Sequence, residues 1–276
     1  MTIAPFSILC LCLAMGTKAR GGDLSFPSPA QSKASAFPLG NGHLGSLVPG
    51  KTDTSEIPIF GSPRSEKVDP SQPGSGFSGE NLGSFHLDWL DADKEVTDYR
   101  RSLDLADGTV TTTFKRGGAG FTWTTFVSAT DDLLVVHLRT DKPGFLGFRA
   151  KLRQGNTSAQ VEDRRVLVLD GRTDRDQPFQ ARAWIYPMES EVTPGDGEIA
   201  VHGEGEALIL VAAASEPERI AQLPERMKAH GFGGPEHPDI FRLWTTLLER
   251  HREAHRKAMA NHPHDFASYL KVASAP

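Results

Sequence analysis

At 276 residues, with 27 glycines, 19 prolines and 24% charged residues, the chain has the makeup of an ordinary globular protein, large enough for one big β domain or two modest ones. Its net charge of -5 and pI near 6.1 give no electrostatic reason to hold nucleic acid or an anionic membrane surface, so neither is an expected partner. The only two cysteines, Cys10 and Cys12, share one apolar run, so the rest of the fold must be held by its core and not by disulfides.

That run, from Ile8 to Met15, is too short to cross a bilayer but suits the apolar region of a secretory signal. Residues 1–20 are therefore expected to be a signal peptide that sends the chain to the periplasm or the exterior, and no later stretch predicts a membrane span. Residues 21–35, rich in Ser, Pro, Gly and Ala, are expected to be a linker. A β domain is expected over residues 36–215. It opens with a turn at Asn41-Gly42 before an apolar strand, and Asn41 and His43 are the loop residues best placed to touch a ligand. Between Gly61 and Gly83 the composition turns polar and Gly/Pro/Ser-rich, which predicts a long surface loop.

Strand signals then follow in series. Phe85, Leu87 and Trp89 alternate with polar neighbours, and Thr109 to Phe114 is β-branched almost throughout. Arg116-Gly117-Gly118-Ala119-Gly120 joins the second run to Phe121 through Val127 as a hairpin. Leu133–Leu138, Phe145–Leu152, Arg165–Leu169, Phe179–Tyr186 and Ala207–Ala212 continue at the spacing of a large antiparallel β-sandwich. After Ser215 the period changes. Ile240, Leu243, Trp244, Leu247, Leu248 and Ala258 share a helical face, with Arg242, Glu249, Arg250, Arg252 and Arg256 on the rest. Residues 216–276 are thus expected to be helical, with a second short helix from about Asp265 to Val272. The arginines are read as a solvated face, and the apolar stripe as under-covered and prone to association.

Three segments carry a family resemblance. Phe37-Pro38-Leu39-Gly40-Asn41-Gly42-His43-Leu44-Gly45, Tyr99-Arg100-Arg101-Ser102-Leu103-Asp104-Leu105, and the run from Phe126 to Lys142-Pro143-Gly144 resemble, in order and spacing, the N-terminal domain of glycoside hydrolase family 95, the α-L-fucosidases. The resemblance implies a β-sandwich, then a helical linker, then an (α/α)6 barrel in which a Glu acts as general acid while Asn and Asp activate water, with inversion. No residue here matches that machinery, so no catalytic residue is assigned, and the chain is expected to stop before the barrel. Where the family has a segment of Gln-Leu-Asn-Glu character, this chain has Ser55-Glu56-Ile57-Pro58-Ile59-Phe60.

Other constellations point to no separate chemistry. His251-Arg252-Glu253-Ala254-His255 spaces two histidines one turn apart, but Arg252 stands where a zinc protease needs glutamate, so no metal is expected and both are read as surface histidines. Asp88, Asp91, Asp93, Glu95 and Asp98 are read as solubilising charge, and Trp89, Trp123 and Trp184 as core. The expected function is that of a non-catalytic domain whose fucosylated glycan is handled by a missing or separate barrel, with no cofactor. The alternatives are a stand-alone carbohydrate-binding or structural module, or an interaction protein that uses the Ile240 to Ala258 helix.

Overall fold

A computed structural model describes residues 23–65, 77–188, 191–203, 205–229 and 239–261. The expected signal peptide and the short helix from Asp265 lie outside the described residues. Within them the chain makes seventeen strands: β1 (Asp23–Phe26), β2 (Phe37–Gly40), β3 (Leu44–Val48), β4 (Thr54–Ser65), β5 (Phe77–Trp89), β6 (Val96–Asp104), β7 (Thr109–Arg116), β8 (Ala119–Val127), β9 (Leu134–Thr140), β10 (Leu146–Gln154), β11 (Thr157–Ser158), β12 (Gln160–Glu162), β13 (Val166–Arg172), β14 (Pro178–Pro187), β15 (Glu191–Pro194), β16 (Glu198–Gly203) and β17 (Glu206–Ala214). Two helices follow, α1 (Pro217–Ala229) and α2 (Ile240–Asn261).

The strands form two antiparallel sheets. One has nine strands in the order β1-β6-β7-β8-β9-β17-β14-β13-β12; the other has eight, in the order β15-β16-β10-β5-β4-β3-β2 with β11 paired to β10. The architecture is the large β-sandwich that the strand spacing predicts. Period-two alternation sends Ile57, Ile59, Phe85, Leu87, Phe148 and Leu152 inward from the eight-stranded sheet to meet Phe114, Trp123, Val136, Ile209 and Ile185 from the other. Trp89 anchors one end of this interior, edge-on to Phe114 at 5.4 Å and to Phe121 at 5.6 Å. The β7–β8 hairpin closes through Gly117 and Gly118, at φ 57° and 80°, a pair of left-handed positions that glycine takes without strain.

Several expectations change. The lead-in of residues 21–35 contributes β1, which pairs with β6 from Asp23↔Asp104 to Phe26↔Arg101. Its continuation is pinned because the buried Arg101 donates from Nε to the Ser28 carbonyl and from Nη1 to the Ser35 carbonyl, both at 2.8 Å. Of the polar stretch from Gly61 to Gly83, residues 61–65 and 77–83 are the ends of β4 and β5, which pair from Thr54↔Asp88 to Ser65↔Phe77 around two register shifts, while residues 66–76, where a loop is expected, lie outside the described residues. Two of its glycines are there for fit: a Cβ on Gly61 would lie 2.9 Å from Leu82 Cδ1, and one on Gly83 2.9 Å from the Arg153 carbonyl oxygen. Helix α1 falls in the stretch expected to be helical, whereas strands β15 and β16 carry no signal strong enough to predict, because both are short.

The interior sets the stability of the sandwich. Trp123, 1% exposed at its centre, should cost about 3–5 kcal/mol when cut to alanine, read as a lower denaturant midpoint with an unchanged slope.

Candidate functional site

Strands β9 and β17 are apolar on both faces. Leu134, Val136, Ile209 and Val211 enter the sandwich interior, while Leu133, Val135, Leu208, Leu210 and Ala212 with Trp184 and Tyr186 form a second apolar layer on the outer face of the nine-stranded sheet. Water would face that layer unless something covered it. Leu223 of α1 and Ile240 and Leu247 of α2 are buried against it, with Ile220, Leu243, Trp244 and Leu248 packed alongside. The helical stripe is therefore spent on the chain's own sheet. This corrects both the expectation that it is under-covered and the reading of it as an outward contact face. Phe241 is the one large apolar side chain that stays exposed among the described residues, at 64%.

Two turns at the end of the sheet fix the register of α2. In the turn between β6 and β7, the Asp104 carboxylate accepts the amides of Ala106 and Asp107 at 2.9 and 3.0 Å, and Gly108 adopts φ +66°. In the turn between β8 and β9, Ser128 Oγ and Thr130 Oγ1 donate to Asp131 Oδ2 at 2.7 and 2.9 Å, with Asp132 left-handed at φ 52°. Both turns thus present a buried carboxylate towards the helix. Arg250 pairs with Asp131 at 2.5 Å, and Arg252 and Arg256 pair with the two oxygens of Asp107 at 2.7 and 2.5 Å. Arg219 of α1 reaches Asp132 at 2.9 Å. The three arginines of α2 stay on a largely solvated face, as expected, with side chains 39–62% exposed, but their guanidinium groups also reach the turns that seat the helix. At its start the helix is capped by Asp239, whose Oδ1 accepts the Arg242 amide at 2.9 Å.

Histidines fill the space between. His251 stacks on Phe126 at 4.5 Å, its Nδ1 accepts the Ala129 amide at 3.3 Å, and its Nε2 lies 3.3 Å from the Gly108 carbonyl. Burial, and then the neighbouring His255, push His251 down from the ordinary 6.5 to about 4, so it is neutral in the seat near pH 7. His255 Nε2 lies 2.9 Å from the Leu105 carbonyl, and a Cβ on Gly108 would lie 2.8 Å from its ring. His137, on the sheet, stacks under Trp244 at 4.1 Å and meets Glu206 at 2.6 Å; that hydrogen bond holds the Glu206 carboxyl below the usual range. His251 at 3% exposure is a buried packing residue and not the surface histidine expected from sequence.

The other predicted residues lie elsewhere. Asn41 sits at the tip of the β2–β3 hairpin, where its Oδ1 accepts the amides of His43 and Leu44 at 2.9 and 2.8 Å and its Nδ2 donates to the Ser128 carbonyl and Asp132 Oδ1 at 2.8 and 2.9 Å. His43 is exposed beside it. Trp89, Trp123 and Trp184 are core, as expected. In the acidic stretch Asp88 pairs with Lys151, Asp91 with Lys94 and Asp98 with Lys115. No three His, Cys, Asp or Glu side chains gather as a metal-ligand cluster among the described residues. Sequence reasoning missed Asp107, Asp131 and Glu206, which are single carboxylates in turns or at a strand start and become meaningful only once the helix is in place.

A sequence model of the glycosyl hydrolase family 65 N-terminal domain matches residues 64–218. No curated protein is detectably similar in sequence. Among solved structures, a protein assigned as a kojibiose phosphorylase from the human microbiome superposes with a TM-score of 0.57 at 11% identity, over 87% of this chain and 38% of that one. A bacterial glucoamylase solved with acarbose aligns over 98% of this chain and 43% of its own, at TM-score 0.44 and 7% identity. At 11% identity the first likeness is one of fold, and the present chain spans 38% of that protein's length.

The buried histidine makes helix docking acid-sensitive. The undocked helix takes up a proton near 6.5 and the docked one only near 4, so the undocked form binds more protons between those values and docking weakens as pH falls through the window, by about 3 kcal/mol at most. Denaturant midpoints measured from pH 7.5 to 4.5 should fall, and His251→Leu should flatten that dependence. Gly108→Ala, which meets both the left-handed φ and a clamped His255 ring, should speed amide exchange along α2 and cost roughly 1–3 kcal/mol.

Proposed function

Since the chain belongs to the family of glycosyl hydrolase family 65 N-terminal domains, we propose that it is the non-catalytic N-terminal β-sandwich of a glycoside hydrolase, bracing a helical catalytic barrel carried outside this sequence, with α-L-fucosylated glycans as the substrate class. One observation carries the bracing role: α2 is held from Ile240 to Arg256 on the outer face of the nine-stranded sheet by an apolar stripe, a stacked histidine and three arginine–carboxylate pairs. A helix held so firmly gives whatever follows it a fixed starting direction. The substrate class rests on finer sequence likeness, in the segments beginning Phe37, Tyr99 and Phe126, to the family 95 α-L-fucosidases. The apolar run from Ile8 to Met15 supports export.

The carboxylates of the sandwich support a domain without turnover of its own. Hydrolysis with inversion needs a carboxylic acid and a carboxylate on opposite sides of the bond, the acid kept protonated by burial. Asp53 and Glu56 share a surface groove, but they lie three residues apart along one stretch of chain and both are exposed. Asp98 and Asp141 share a second depression, where Asp98 is paired with Lys115 and Asp141 accepts the Gly120 amide at 2.7 Å. Neither pair brackets a bond.

The purified chain should release no fucose from a nitrophenyl α-L-fucoside; turnover that survives removal of contaminating enzymes would overturn the reading. Coexpression with a helical-barrel segment encoded next to it should yield a complex with fucosidase activity, and Gly108→Ala should weaken that complex. A barrel equally active and stable without this chain would sink the bracing role.

A further inference from the structure

The outer face of the eight-stranded sheet, remote from the helices, holds a groove of about 360 Å3 between the segment around Lys33 and the strands β4 and β5. Its walls are fixed before any ligand arrives. Arg101, 2% exposed and stacked on Phe26 and Phe37 at 4.5 and 4.8 Å, grips the carbonyls of Ser28 and Ser35, while Ala30 donates its amide to the Pro49 carbonyl at 2.9 Å. On the other side Tyr99 Oη donates to the Gly50 carbonyl at 2.6 Å, and Arg116 donates to the Thr52 carbonyl. A wall that needs no reordering lowers the entropic cost of binding.

The lining has the character of a site for hydroxyl groups. Leu47, Pro49 and Pro58 give an apolar floor, and around it stand Lys33, Lys51, Asp53, Glu56 and His86. Of these, Lys33, Lys51, Asp53 and His86 have no side-chain hydrogen bond or ion pair within the described residues, and Glu56 is steadied at Oε1 by Ser84 at 3.0 Å. Burial pushes His86 below the ordinary histidine value, against the pull of Glu56 and Asp88, so near pH 7 its ring offers one donor and one acceptor. Two lysines face two carboxylates, which leaves no net charge to favour an anion or a cation. Donors and acceptors around an apolar floor, without net charge, complement a sugar ring, whose C–H face is apolar and whose rim is hydroxyl.

We infer that this groove is an accessory binding site for a neutral saccharide, with Glu56 and Asp53 accepting from hydroxyls, Lys33 and Lys51 donating to them, and His86 doing one of each. The inference goes beyond the bracing role, since the groove lies on the sheet that α2 does not touch and needs no particular substrate at the barrel. Its openness and lack of an aromatic platform set the affinity on the order of millimolar.

The test is a titration of the full chain, followed by amide NMR, with kojibiose, maltotriose and 2′-fucosyllactose as neutral probes and inorganic phosphate as the charged one. Saturable shifts are expected around Glu56 and His86 with at least one sugar, and His86→Ala and Glu56→Gln should each weaken that binding about tenfold. Lys51→Met, at an exposed position that leaves the fold alone, should weaken it severalfold. No saturation at tens of millimolar of any sugar, binding indifferent to all three variants, or tighter binding of phosphate would each overturn the inference. None of these results alters the docking of α2, so failure here and failure of the bracing role are separately readable.

Discussion

An antiparallel strand that is apolar on both faces cannot leave either face in water, and this governs the molecule. Along β17 every residue from Ala207 to Ala214 is buried, odd positions going into the sandwich and even ones to the outer layer. Each fully buried Leu or Ile there is worth roughly 1.5–3 kcal/mol relative to exposure, so an uncovered outer layer would undo much of what the inner one gains. The two helices are for that reason part of the domain's core. Their arginines and histidines then settle where along the layer the helix sits, a question that greasy contact alone answers loosely.

Much of the sandwich was legible because its signals are local. Alternation in Phe85-His86-Leu87-Asp88-Trp89, the glycine pair at Gly117-Gly118 and the turn at Asn41-Gly42 each fix geometry within a few residues, and all act as their chemistry says they should. The continuous apolar runs of β9 and β17 carried more information than their assignment as strands. In a two-layer sandwich with a wet exterior they would alternate, so their unbroken hydrophobicity already implied a second cover. The helical stripe from Ile240 to Leu248 was that cover, a match visible only when both elements are considered together.

The docking residues were hidden for a different reason. Asp107 sits in a turn where aspartate is common for local reasons, and nothing nearby in the chain says that Arg252 and Arg256 will converge on its two oxygens. His251 lies between two arginines, a context that argues for exposure until the ring is seen stacked on Phe126. Similarly, the Gly/Ser-rich stretch after Gly61 looked like loop because small residues are permissive; at its two ends the smallness of Gly61 and Gly83 lets Leu82 and the Arg153 backbone come close. Pairings over long sequence separations leave almost no local trace, and the seat consists of them. The domain thus keeps its two working surfaces apart, a helix-bearing sheet on one side and a polar sheet with a preformed groove on the other.

Asn41 has a mechanical meaning. Its amide ties the first hairpin of one sheet to Ser128 and Asp132 on the other, and Asp132 in turn holds Arg219 on the first helix. Tension applied through the helices therefore runs across the sandwich by a chain of three side chains and does not have to peel strands apart one by one. Cutting that tie would leave each sheet intact while letting their ends part, so the molecule should yield at this corner first when pulled.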